Sequence, residues 1–170
     1  MQEKQDAITY ILSLRLDQKS QAFFDALRKK HFPPERNYLK AHLTLFHKLP
    51  DGAHTFAVLG EIIQDAFDMH VTRLRHLGAG VAYQIESETL QRLHQKLGAA
   101  FADDLIPQDK QRFMPHITVQ NKVTPAAATA LLLELSKSFI PFTARAIGMD
   151  LWIYRGGPWE YKEGFIFERS

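Results

Sequence analysis

His42-Leu43-Thr44-Leu45 and His116-Ile117-Thr118-Val119 are the two stretches on which the reading of this chain turns. Each lies in a run with the alternation of a half-buried β-strand. Successive side chains on a strand point to opposite faces, so a spacing of two sets His42 beside Thr44, and His116 beside Thr118. Each pair joins a proton carrier to a hydroxyl donor. Two such pairs facing each other across a cleft supply an acid, a base and two anion-binding hydroxyls, the equipment for cleaving a phosphodiester without a metal.

Outward from these motifs the same order of elements appears twice. Residues 7–16 predict a strand, because Ile8, Tyr10, Leu12, Leu14 and Leu16 alternate with Thr9, Ser13 and Arg15. Asp17 is the N-cap of a helix carrying Phe23, Phe24 and Leu27, with Lys29 and Lys30 at its end and Pro33-Pro34 stopping it. The motif strand 42–49 closes at the turn Pro50-Asp51-Gly52. A helix with Phe56, Leu59, Ile62, Ile63 and Phe67 on one face follows, then a strand from about 70 to 77, broken by Gly78 and Gly80.

The second round begins with a strand over 81–86 and a helix over 88–104, its apolar face made by Leu90, Leu93, Leu97 and Phe101. The second motif strand covers 116–123, and Thr124-Pro125 starts a helix running through Leu131, Leu132, Leu135 and Phe139. Strands 142–154 and 159–168 join at Gly156-Gly157-Pro158. Both halves run strand, helix, motif strand, helix, strand, and the interval from Tyr10 to His42 nearly equals that from Tyr83 to His116. This predicts an internal duplication, with lobes at 7–77 and 80–168 inside one domain spanning 1–170. A pseudo-twofold axis would bring both motif strands to a shared groove.

Composition narrows the classes. With 45% hydrophobic and 24% charged residues, 170 residues are enough to bury a core as one two-lobed unit. The net charge of +2 is too small for a protein that coats nucleic acid, though it allows a local anion site. Cysteine is absent, which removes disulfides, thiolate catalysis and cysteine metal sites and suits a reducing cytoplasm. Met1-Gln2-Glu3-Lys4-Gln5-Asp6 does not read as a signal peptide, and the apolar stretch from Ala126 to Leu135 is too short to span a bilayer.

Chance sets a useful control. With 8 histidines among 170 residues, a histidine two before a threonine is expected about 0.4 times. A third instance, His70-Val71-Thr72, lies outside the duplicated position and has Arg73 where the others have Leu45 and Val119, so we treat it as a decoy. A zinc site is the next reading to weigh. His42 and His47, five apart on a strand, should point to opposite faces, and no nearby carboxylate completes a ligand set. No serine stands in a nucleophile-elbow context.

By alternation Phe46 and Lys48 share the face of His42, while Gln120 and Lys122 share that of His116. Phe46 is placed either to stack on a base or to pack between the lobes, and Tyr83 either to border the groove or to serve the core. Phe46, Tyr83 and Gln120 are the candidate substrate-binding residues. Lys48 and Lys122 read as solvated charges, and Trp152, Tyr154, Trp159 and Tyr161 as cross-strand packing near the final turn.

The two motifs, with Phe113-Met114-Pro115 ahead of the second and, more weakly, Gly156-Gly157-Pro158-Trp159, make the chain similar to the two-histidine phosphoesterase superfamily. That group includes the 2′-5′ RNA ligase-like proteins and 2′,3′-cyclic phosphodiesterases. The resemblance covers essentially the whole chain. It implies a two-lobed α+β fold with antiparallel sheets around a central cleft and helices outside, and no metal or other cofactor. It maps the catalytic set onto His42, Thr44, His116 and Thr118, and implies a small nucleotide or RNA terminus as substrate. We expect a cytoplasmic monomer with no membrane or DNA partner, which hydrolyses a 2′,3′-cyclic phosphate or a 2′-5′ linkage with His116 as base and His42 as acid. The alternative is a nucleotide- or RNA-end-binding module with little turnover; a purely structural partner protein would require the motif pair to be accidental.

Overall fold

The computed structural model describes residues 8–168. The first residue of the predicted opening strand, and the segment read for a signal peptide, lie outside them. The elements are β1 (Thr9–Leu16), α1 (Gln18–His31), β2 (Leu43–Leu49), α2 (Ala53–Gly60), β3 (Phe67–His76), β4 (Val81–Glu86), α3 (Glu88–Ala100), α4 (Pro107–Lys110), β5 (His116–Gln120), α5 (Pro125–Ser136), β6 (Phe142–Tyr154) and β7 (Glu160–Ile166). The helix starts follow the capping chemistry. Asp17 accepts from the amide of Ser20, Ser87 from that of Leu90 and Thr124 from that of Ala127, each satisfying a donor the helix cannot.

Several boundaries differ from expectation, two of them near the motif strands. The second helix ends at Gly60 rather than reaching Phe67, which instead opens β3 and is buried against Phe167. The backbone between is held by the C-terminal segment: Ala66 donates to the carbonyl of Glu168, whose own amide donates to that of Gln64. Long-range pairing has overridden a helical spacing of apolar residues. In the second half, β5 stops at Gln120, and Lys122 turns the chain with φ of 61°.

The sheet explains how distant motifs meet. All pairings are antiparallel, in the order β2-β1-β6-β3-β4-β5, with β7 alongside β6. Read from the middle outward, β6-β1-β2 mirrors β3-β4-β5. Each arm takes its inner strand from the other half of the sequence, so the sequence halves interlock in one sheet. The motif strands β2 and β5 stand at its two ends. The sheet curls until these ends touch each other, and the helices lie outside it. Leu12, Phe24, Leu43, Phe46, Met69, Ile85, Leu97, Phe101 and Ile117 are among the fully buried side chains that hold the curl.

Candidate active site

Both motif strands break their alternation at the same place. In β2 the partner of Ser13 is Thr44 but that of Leu12 is Phe46, so Leu45 is an extra residue. In β5 the partner of Ala82 is Thr118 but that of Val81 is Gln120, so Val119 is extra. These are β-bulges at equivalent positions, and a bulge re-aims every side chain beyond it. Up to the bulge the spacing-of-two argument holds. Past it the faces swap for Phe46 and His47 and for Gln120, and in β2 a second register shift, between Tyr10 and Leu12, returns Leu49 to the core.

This corrects two of the expected substrate contacts. Phe46 and Gln120 are buried, at 0% and 7% exposure, because the bulge turns them into the core. Phe46 stacks on His94 at 4.5 Å, and the Oε1 of Gln120 has no hydrogen-bond partner. Tyr83 is also withdrawn from the groove, packed against Phe24, Phe139 and Phe142. Its register shows why the parallel with Tyr10 misleads: Tyr83 pairs with Ile117, whereas Tyr10 pairs with Leu49, so its true counterpart is Leu14, opposite Leu43.

His42, Thr44, His116 and Thr118 line one cavity of about 250 Å³. The decoy His70 is not among its lining residues. The imidazoles are held alike: Nδ1 of His42 lies 2.9 Å from the carbonyl of Lys40, and Nδ1 of His116 lies 3.0 Å from that of Met114. A carbonyl only accepts, so Nδ1 must carry the hydrogen, and Nε2 is the free nitrogen of each ring. The bulge carbonyls are held as well. His94 Nε2 donates to Leu45 and the buried Arg28 to the carbonyl of Thr118.

His42 is half-buried at the cavity wall and lies against Trp159, with ring centroids 4.6 Å apart. Burial, with the nearby charges of Arg28, His116 and His47, pushes its pKa down to about 4, against an opposing pull from its bond to Lys40. A neutral His42 therefore prevails near pH 7.

Several cavity residues were not legible from the motifs. His47 lines the same cavity as His42 although alternation puts it on the other face, because the bulge intervenes. Beneath it lies Asp109 of α4, an element that apolar periodicity does not reveal. Arg75 and Arg112 also line the cavity. Among the described residues no group of three or more histidines and carboxylates is arranged to hold a metal ion.

The cavity is flanked by larger grooves. One of about 740 Å³ adjoins His42, with Tyr38, Trp152 and Trp159 among its walls, and one of about 560 Å³ adjoins the loop entering β5, with Arg92, Arg112, Phe113 and Met114. Trp152 packs across strands on Tyr161 as expected, with centroids 5.3 Å apart, while Trp159, just ahead of β7, lies 6.2 Å from Trp152 and also reaches His42.

Comparison with known proteins agrees with this geometry. Over residues 16–158 the sequence matches the model of the 2′-5′ RNA ligase superfamily. Among curated proteins none matches significantly. The fold is similar to the crystal structure of Escherichia coli LigT complexed with 3′-AMP, with a TM-score of 0.65 and 19% identity over 96% of this chain and 100% of that one. It is also similar to TT0787 of Thermus thermophilus, with a TM-score of 0.68 and 17% identity over 95% of this chain and 98% of that one. LigT has also been crystallised with ATP. By family match, fold and the paired motifs, the chain belongs to the 2′-5′ RNA ligase superfamily, within the two-histidine phosphoesterases.

Proposed function

We propose that this protein cleaves a phosphodiester at an RNA end or in a small nucleotide, either a 2′,3′-cyclic phosphate or a 2′-5′ linkage, by metal-independent acid/base catalysis. The observation that carries this reading is the convergence of two His-x-Thr pairs, from opposite ends of one sheet, on a single cavity with both ring tautomers fixed. Hydrolysis needs a proton taken from water on one side of phosphorus and a proton given to the departing ribose oxygen on the other. A neutral Nε2 does the first and a protonated Nε2 the second.

The lowered pKa of His42 suits it to the role of base, with His116 opposite it as the acid; the sequence alone assigns the pair the other way. Nε2 of His42 takes the proton of the attacking water while Nε2–H of His116 protonates the leaving oxygen; the product departs with the rings in exchanged protonation states, and solvent resets them. The hydroxyls of Thr44 and Thr118 donate to the non-bridging oxygens as charge builds there. Joining a 2′-5′ linkage would use the same groups with a 5′-hydroxyl in place of water: its oxygen bonds to the phosphorus of a 2′,3′-cyclic phosphate as one histidine takes its proton, and the 3′-oxygen leaves with a proton from the other.

The test is turnover of a panel of nucleoside 2′,3′-cyclic phosphates and 2′-5′ dinucleotides by purified protein in excess chelator. Cleavage to monoesters is expected. Binding without turnover across the panel would favour a nucleotide-binding module, and activity restored only by added metal would overturn the mechanism.

A further inference from the structure

One end of the reaction cavity holds an imidazole that the two-histidine mechanism does not use. His47 is 47% exposed and lines the cavity, while the carboxylate behind it, Asp109, is 1% exposed. Asp109 accepts from the amides of His47 and Lys48, each at 3.0 Å, and from Nδ1 of His47 at 2.8 Å. Among the described residues no lysine or arginine pairs with it. The carboxylate therefore fixes Nδ1 of His47 as donor, presents Nε2 outward, and neutralises the ring's charge when Nε2 is protonated.

A clamp between α4 and β2 would need only the two backbone bonds. The third bond orients a ring that packs on no aromatic neighbour and faces the cavity. Arg75 and Arg112 line the same cavity, and their guanidinium groups form no hydrogen bond or ion pair with any described residue. Asp109 is the one carboxylate among the lining residues, and its bonds are already taken. The catalytic pairs and their threonines suffice for one scissile phosphate, so these further cations face the space beside it. His47 has no like residue in the other half, where the equivalent position is Asn121.

We propose that His47, oriented by Asp109, forms with Arg75 and Arg112 a second anion subsite inside the reaction cavity, which receives a phosphate one linkage away from the scissile one. The inference rests on the phosphodiesterase reading and sharpens it: the substrate is a phosphate-bearing end rather than a bare nucleoside cyclic phosphate. His47 binds the substrate here, and Asp109, which orients it, is the positioning residue. The proton transfers remain with His42 and His116.

The experiment compares kcat/KM on adenosine 2′,3′-cyclic phosphate, its 5′-phosphorylated form, and an adenosine dinucleotide ending in a 2′,3′-cyclic phosphate. At least a tenfold preference is expected for one or both phosphorylated substrates, and which of them gains tells a terminal monoester from a chain phosphate. In His47→Gln the preference should collapse chiefly through KM, with thermal melting near that of the unaltered protein. Asp109→Asn should weaken it in the same sense. Titration calorimetry with adenosine 3′,5′-bisphosphate and adenosine 3′-monophosphate adds a readout free of turnover, with the bisphosphate bound at least tenfold more tightly and the ratio lost in His47→Gln. Equal kcat/KM on all three substrates, or a ratio that survives His47→Gln, would overturn the subsite. If no substrate is turned over, the cleavage reading fails, while the bisphosphate-to-monophosphate binding ratio still decides the subsite.

Discussion

The two half-sites are alike up to the threonine and diverge just beyond it. In both, a histidine bonds the carbonyl two residues before it, a threonine follows at a spacing of two, and a bulge comes next. Past the bulge one half has Phe46 and His47 where the other has Gln120 and Asn121, and the loop into β2 has Tyr38 where the loop into β5 has Arg112. The shared part is what one phosphate between two imidazoles requires. The divergent part contacts whatever flanks that phosphate, and a pseudo-symmetric site must lose its symmetry there to bind an asymmetric substrate in one direction.

Removing either half of the shared part should have the largest effect. His42→Ala and His116→Ala each delete a proton-transfer step and should lower kcat on the best substrate by roughly 10²–10⁴-fold, while His70→Ala, outside the cavity, stays near the unaltered rate. A fully active His42→Ala would end the two-histidine mechanism.

The buried positions after the bulges test the correction made by the fold. Phe46→Ala should cost about 3–5 kcal/mol of stability in urea melts, as expected for a fully buried ring, rather than act selectively on KM. Stability within error of the unaltered protein would mean that Phe46 is not held in the core.

Thr44→Val and Thr118→Val each remove one hydrogen bond to a charged phosphate and leave acid and base in place. A loss of about 1.5–3 kcal/mol, or roughly 10–150-fold in kcat/KM, is expected from each. Unequal losses would locate where the half-sites differ in the transition state.

The pH profile sharpens the comparison between the rings. His42 has a folded pKa of about 4, below the ordinary histidine value, so it stays neutral until the pH falls well under that value. The acid limb of kcat/KM should accordingly lie below about 6.5 and extend toward 4, as a property of the coupled pair. Stability follows the same sign. Below the ordinary value the unfolded chain binds a proton that folded His42 refuses, so stability falls as pH drops through this window. A limb at the ordinary histidine value would return His42 to the role of acid.

The smallest effect is expected at Gln120. Its Oε1 is buried without a partner, so Gln120→Leu should leave stability unchanged or raise it by about 1 kcal/mol. A clear loss would reveal a partner for that oxygen.

The strands, the capped helices and the duplicated order were legible because each is written in local periodicity and in residues with fixed local roles, such as Asp17 and Thr124. The pairing of His42 with Thr44, and of His116 with Thr118, was legible for the same reason, since alternation holds over two residues. Alternation failed at Phe46, His47 and Gln120 because a bulge is decided by the partner strand: Leu45 and Val119 are extra only relative to Leu12-Ser13 and to Val81-Ala82. Tyr83 was misjudged through a spacing from Tyr10 that the register does not share.

What the sequence by itself determined is the chemistry on offer: two imidazole–hydroxyl pairs, each on its own strand, in a chain whose order of elements repeats and which lacks cysteine. Tertiary structure decided which side chains meet. Exchange of the third strands put β2 and β5 at the two ends of one sheet, the curl brought those ends together, and the bulges chose His47 over Phe46 for the cavity. Asp109 lies 62 residues from His47 in sequence, and no local pattern records that contact, because pairings at such separation are set by the packing of the whole chain.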